Sequence, residues 1–266
     1  MKRFLSLILL STLLVAGCAP AVNDTQTSTS EARALTVFAA ASLTDAFTEI
    51  GANFEAANPG VTTTFNFAGS QALRTQIEEG APADVFASAN QTEMEALVIS
   101  EHVVAGTPQV FLSNKLVVVV PADNPAALEN LEGLARSGVK LVIAAEEVPV
   151  GKYTREALNL MNDQFGSDFK DKLLANVVSN EDNVRQILAK VQLGEADAGI
   201  VYMSDAVSAP ELQTIEIPND LNVIATYPIA ALLDTANSDL ATAFVEYVLS
   251  SDGQAILEKW GFGPPE

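Results

Sequence analysis

Cysteine and histidine are almost absent: the 266-residue chain has one of each, Cys18 and His102. A lone cysteine excludes an intramolecular disulfide, and the pair cannot staff a His/Cys metal cluster. Nucleophilic systems of the Ser-His-Asp or Cys-His kind have one histidine to draw on. That residue follows Glu101 in a polar loop and reads as a surface side chain. Basic residues are also scarce. Lys and Arg number 14 against 34 Asp and Glu, for a net charge of −20, and loss of Lys2 and Arg3 with a cleaved leader would make it −22. Such a chain has no basic face for nucleic acid. The same deficit weighs against an anionic ligand, unless the site is built from uncharged dipoles. Beyond the N-terminus no second apolar stretch is long enough to span a bilayer, so the mature body is expected to be soluble. Val150-Gly151-Lys152-Tyr153 is no phosphate-binding P-loop: no glycine stands five residues before Gly151 and no Ser or Thr follows Lys152.

What is present begins with an export signal. Lys2 and Arg3 precede an apolar run from Phe4 to Gly17, interrupted only by Ser6, Ser11 and Thr12, which is short for a membrane span and right for a leader. Val15-Ala16-Gly17-Cys18 resembles the bacterial lipobox, in which the cysteine is lipidated and becomes the first mature residue. The alternative is a plain secretory leader with an incidental cysteine. Residues 18–33 are rich in Thr, Ser, Ala and Pro, without apolar periodicity, and are expected to form a flexible tether. The expectation is a signal peptide over 1–17, membrane contact only through lipidated Cys18, and a place in the cell envelope facing the periplasm or the exterior.

The remainder alternates strand and helix. Leu35-Thr-Val-Phe-Ala-Ala-Ala is a short apolar run of the buried parallel-strand kind. Leu43, Ala46, Phe47, Ile50 and Phe54 follow at helical spacing and are stopped by Asn58-Pro59-Gly60. Val61, Thr63, Phe65 and Phe67 alternate as a strand, Leu73 and Ile77 mark a helix, and Asp84-Val-Phe-Ala is a third strand. A second alternation starts at Leu116–Val120 and continues with a strand over 140–144, helices from near Lys152 and near Glu181, and a strand over 198–202. Tyr227-Pro-Ile-Ala-Ala reads as a return strand, followed by helices over 237–249 and 252–260. Two such units predict an α/β protein with two lobes: 34–113 with 228–266, and 114–227. The hinge is expected near 112–115 and 225–229. In such sheets ligands sit beyond the carboxyl ends of strands.

Four loop-to-helix junctions share a chemistry. Ser42 and Ser70 each lie between a strand and its helix, Val150-Gly151 precedes the Lys152 helix, and Asn183-Val184 lies in the first turn of the Glu181 helix. Helix N-terminal amides lack intrahelical partners and carry partial positive charge, so several aimed at one point bind an anion without Lys or Arg. Taken singly, the two serines read as ordinary helix caps, and Tyr202 as a packed strand-end tyrosine with a wet hydroxyl.

The wider motifs are more specific. Phe38-Ala-Ala-Ala-Ser42-Leu-Thr-Asp, Phe67-Ala-Gly-Ser70, Gly80-Ala-Pro-Ala-Asp84-Val-Phe, Asn114-Lys-Leu-Val-Val-Val-Val-Pro121, Val148-Pro-Val150-Gly-Lys-Tyr153, Glu181-Asp-Asn-Val184-Arg185 and Gly199-Ile-Val-Tyr202-Met-Ser-Asp205 occur in this order. Together they resemble the molybdate-binding proteins of bacterial ABC transporters over about residues 35–262. The resemblance implies the type 2 periplasmic-binding-protein fold, α/β with two lobes and two crossing hinge segments. It implies capture of molybdate or tungstate outside the cytoplasmic membrane, delivery to an ABC transporter permease, a monomer, no cofactor and no catalysis. It also implies the contacts: Ser42 and Ser70 from one lobe, with the Val150 amide, the Val184 amide and the Tyr202 hydroxyl from the other, holding the Mo or W through its oxygens. Val150 stands where the family often has Ala, a change a backbone donor tolerates. Arg185 reads as a structural helix residue rather than an anion clamp, Tyr153 as core, and Asp45, Asp84 and Asp205 as caps or interlobe partners. The same fold binding sulfate or an organic anion is the alternative. An enzyme would need a general acid in the cleft, which the matched positions do not offer, and a structural surface lipoprotein would hold no ligand between its lobes.

Overall fold

A computed structural model describes residues 33–265. The leader, Cys18 and the tether to residue 32 lie outside the described residues. The chain opens with β1 (Arg33–Ala40), a 3-10 turn (Ala41–Leu43) and α1 (Thr44–Ala57). It continues through β2 (Val61–Ala68), α2 (Ser70–Glu78), β3 (Val85–Ala87), α3 (Gln91–Ile99) and β4 (Gln109–Asn114). The second unit is β5 (Leu116–Val120), a 3-10 turn (Leu131–Ala135), β6 (Leu141–Ala144), α4 (Pro149–Phe165) and α5 (Phe169–Ala175). It closes with β7 (Val177–Glu181), α6 (Val184–Gln192), β8 (Ala198–Tyr202), α7 (Met203–Val207) and β9 (Gln213–Glu216). The chain then returns through β10 (Ala225–Ala231), α8 (Ser238–Leu249) and α9 (Ser251–Lys259).

The strands form two five-stranded sheets, ordered β2-β1-β3-β10-β4 and β7-β6-β8-β5-β9. Within each, β1–β2, β1–β3, β6–β7 and β6–β8 are parallel, while the strands near the crossings pair antiparallel. Continuous apolar runs serve where both faces are covered by helices, and all five residues of β5 are buried. Phe47, Phe54 and Phe244 knit α1 to α8 beneath the first sheet, with ring centroids 5.3–6.0 Å apart in edge-on contacts. Such pairs contribute about 0.5–1.5 kcal/mol beyond their burial.

Two crossings join the lobes. The first is the step from β4 to β5 at Asn114 and Lys115. The second is the 217–224 segment, which Asn222 stitches to the first. Its Oδ1 accepts from Leu116 N at 3.0 Å, and its Nδ2 donates to Leu116 O at 2.9 Å and Ile217 O at 3.1 Å. A buried amide satisfied on both sides holds the two crossings side by side.

Several boundaries differ from those the sequence predicts. Arg33 is the first residue of β1 rather than the end of the tether, fixed by a two-pronged ion pair to Asp239 at 2.7 and 2.9 Å. The chain rejoins the first sheet at Ala225, three residues ahead of 228, because Ala225–Tyr227 already pair with β4. The return strand expected from Tyr227 is present in β10, with a register shift between Tyr227 and Pro228, where proline has no N–H for the ladder. Helix α4 starts at Pro149 and α6 at Val184, with Glu181 still in β7.

Candidate functional site

Each predicted contact residue sits at the end of a strand or in the first turn of a helix. Ser42 lies in the 3-10 turn between β1 and α1, and Ser70 is the first residue of α2. Val150 is the second residue of α4 and Val184 the first of α6, while Tyr202 ends β8. The structure brings all five, 160 residues apart at the extremes by their numbers, around one cavity between the sheets. Its volume is about 10 Å³, the scale of a single water-sized sphere and far below the roughly 300–1,000 Å³ of pockets for organic ligands. The lobes are therefore closed on each other, and no sugar, peptide or nucleotide fits.

The lining is made of small apolar residues, the two serines, Asn183 and Tyr202, with no Lys, Arg, His, Asp or Glu. Its polar character comes from donors. Neither serine caps a helix: α1 and α2 have Leu43 and Gly69 at their caps and no side-chain bond there. Ser42 Oγ lies instead 3.0 Å from the Tyr227 hydroxyl, and Ser70 Oγ accepts from Ala89 N at 3.0 Å. An oxygen occupied as acceptor leaves the serine hydrogen available to a ligand. Pro149 opens α4 without an N–H, so Val150 carries that helix's first donor. In α6, Asn183 caps by accepting from Gln186 N at 3.2 Å, which leaves the Val184 amide without an intrahelical partner.

Tyr202 supplies the clearest sign of an occupant. It is 1% exposed and its hydroxyl has no hydrogen-bond partner in the protein. An unmet buried hydroxyl costs about 1–3 kcal/mol, which a ligand oxygen would recover. Burial first, and the neighbouring Tyr227 second, hold the Tyr202 phenol well above its ordinary pKa, so it stays a neutral donor. Tyr153, half-buried against the core, is pushed up to about 12 by burial and then by Glu156.

Contacts across the cleft hold the closed arrangement. Arg185, beside Val184 but outside the cavity, reaches Asp45 of the first lobe at 2.6 Å and Asp205 of its own lobe at 2.9 Å. Gln71 Nε2 donates to Asp182 O at 3.0 Å, and Lys152 Nζ to Thr92 Oγ1 at 3.2 Å. The backbones come so close that a Cβ on Gly69 would lie 2.4 Å from Asp182 O. Within the second lobe, a Cβ on Gly151 would lie 1.9 Å from Ala145 O, so only glycine lets the start of α4 seat against the end of β6. Of the three aspartates, Asp45 is the interlobe partner, whereas Asp84 serves inside the first lobe, accepting from Thr36 N at 2.7 Å. His102 lies away from the site, 3.1 Å from Ser100 Oγ. Tyr227 is the site's neighbour that the sequence did not single out, since an aromatic in a buried strand looks like core. Asn183, named with Val184 at its junction, lines the cavity as the cap of α6. Among the described residues no group of three or more His, Cys, Asp or Glu is arranged to hold a metal ion.

Asp205 is fully buried, and burial outweighs Arg185 to raise its carboxyl from 3.8 to about 6. A raised acid binds its proton more tightly in the folded state, so its contribution is most favourable below its unfolded pKa and is lost as pH rises through the folded one. Urea unfolding of the intact protein, compared with Asp205→Asn, should show an extra loss of about 3 kcal/mol between about pH 4 and pH 7. Parallel profiles for the two proteins would contradict this.

A family profile described as bacterial extracellular solute-binding protein matches residues 35–263. The molybdate-binding protein ModA of Mycobacterium tuberculosis is 40% identical over 267 residues, covering 98% of each chain. A putative ABC transporter substrate-binding lipoprotein of Bacillus subtilis is 33% identical, covering 94% of this chain and 93% of its own. Among solved structures, the periplasmic molybdate-binding protein of Azotobacter vinelandii superposes with a TM-score of 0.77 at 22% identity, covering 87% of this chain and all of its own.

Proposed function

The chain belongs to the bacterial extracellular solute-binding protein family, and on that premise we propose that it captures molybdate or tungstate outside the cytoplasmic membrane and passes it to the permease of an ABC importer. The observation that carries this reading is a small cavity lined by Ser42, Ser70, Tyr202 and the first turns of α2, α4 and α6, with no Lys, Arg, His, Asp or Glu. Molybdate is a dianion at neutral pH and offers only acceptor oxygens. Amides of Val150 and Val184, hydroxyls of Ser42, Ser70 and Tyr202, and the positive ends of the helices would meet those oxygens. A protonated oxyanion would bring a hydrogen in need of an acceptor, with no carboxylate in the lining to receive it; left unpaired it would cost about 1–3 kcal/mol. Sulfate shares the charge and the shape, and discrimination against it rests on size, because metal–oxo bonds are longer. The 40% identity to a molybdate-binding relative supports molybdate over sulfate.

The mechanism is capture by closure. The oxyanion docks on one lobe, the second swings about the paired crossings, and donors from both lobes enclose it. Binding shifts the population toward the closed form, which the permease would recognise. The cleft lining carries no His, Lys, Asp or Glu, and no chemical step is assigned to it. Lipidation of Cys18 would keep the body at a membrane surface, a reading supported by the lipoprotein naming of the Bacillus relative. Localisation to the membrane fraction, lost on Cys18→Ser, is the expected result; unchanged fractionation would sink the anchor.

Isothermal titration should show submicromolar molybdate binding, a free energy beyond about −8 kcal/mol, which excess sulfate does not displace. Tyr202→Phe should weaken it by about ten- to a hundredfold, the scale of one hydrogen bond to a charged group. Heat from sulfate or an organic anion, with none from molybdate, would keep the capture mechanism and overturn the ligand.

A further inference from the structure

Tyr227 stands behind the cavity rather than in its lining. It lies on β10, where the chain re-enters the first sheet, and is wholly buried among the rings of Phe111, Tyr202 and Phe262. Its hydroxyl is 3.0 Å from Ser42 Oγ, and either oxygen could donate to the other. The direction matters. A serine that donates to Tyr227 has nothing left to give an anion, whereas one that accepts from Tyr227 has its hydrogen free.

The ligand decides between the two. An anion that offers only acceptors can use Ser42 only when Ser42 accepts from Tyr227 and donates inward. Tyr227 is fully buried and Ser42 is 3% exposed, so the 3.0 Å contact between their oxygens is shielded from water.

We propose that Tyr227 is a positioning residue, whose hydroxyl fixes Ser42 as a donor into the cavity and so biases the site toward ligands that offer only acceptors. The inference rests on the oxyanion reading above and adds a residue that no ligand touches. The chain of donors runs from Tyr227 through Ser42 to the anion.

A double-mutant cycle on the mature protein, titrated with molybdate, tests it. Tyr227→Phe keeps the ring, and Ser42→Ala removes one oxygen from a turn already flanked by Ala40 and Ala41, so both variants should melt near the parent without ligand. Ser42→Gly replaces Ser42→Ala should the latter aggregate. Tyr227→Phe should weaken binding about three- to tenfold, Ser42→Ala by at least as much, and the double variant no more than Ser42→Ala alone, because Tyr227 acts only through Ser42. Parent-like binding by Tyr227→Phe, or losses that multiply in the double variant, would overturn the relay while leaving the oxyanion function intact. Absence of molybdate binding by the parent would overturn both.

Discussion

Everything in this molecule depends on bringing the amino ends of separate helical segments to one point without a cation. A single helix end contributes a fraction of a kcal/mol to about 2 kcal/mol toward an anion, too little for tight capture. Segments drawn from two lobes, with three hydroxyls between them, can supply enough only if the enclosed space is dry and fitted. The cavity between the sheets is small, about 10 Å³. A net charge of −20 is compatible with an anionic ligand for the same reason: the site's field is made locally, by dipoles, and the distant acidic surface is screened by salt.

The two-sheet architecture supplies the convergence. Parallel strands place helix starts along one edge of each sheet, and the paired crossings stitched by Asn222 set the two edges face to face. The glycines fit the same geometry. Gly69 allows the first lobe to touch the Asp182 carbonyl of the second, and Gly151 lets α4 begin against the end of β6. Closure leaves the Tyr202 hydroxyl buried and unmet, a deficit that the proposed ligand would remove. The Arg185–Asp45 pair, part-exposed on both sides, adds only modestly. On the proposed reading, ligand contacts would outweigh this surface pair in closure.

Much of this was legible in the sequence. Leu116–Val120 and the run from Leu35 read directly as buried strands, because continuous apolar residues of that length have few other uses. The five contact residues came from a family resemblance, and the structure gathers all five at one cavity. Local chemistry alone pointed the serines toward capping, which neither performs. Helix starts at Pro149 and Val184 were misplaced by about one turn, within the usual uncertainty of element ends; Val148 gives no side-chain cap signal, and Glu181 looks as much like a first-turn acid as a strand end. The links between Arg185 and Asp45, and between Tyr227 and Ser42, join residues 140 and 185 apart. No periodicity within one segment carries such pairings. They became visible only once the sheets fixed which ends meet.

The central claim, an anion held by neutral donors inside an acidic protein, is tested most directly by the salt dependence of molybdate affinity. Sites built on Lys or Arg weaken steadily as ionic strength rises, because salt screens the attraction. Here the only long-range field is repulsive, so affinity should hold constant or tighten modestly from low to high salt. A steady weakening with added salt would show that a cation holds the ligand and that the dipole account is wrong.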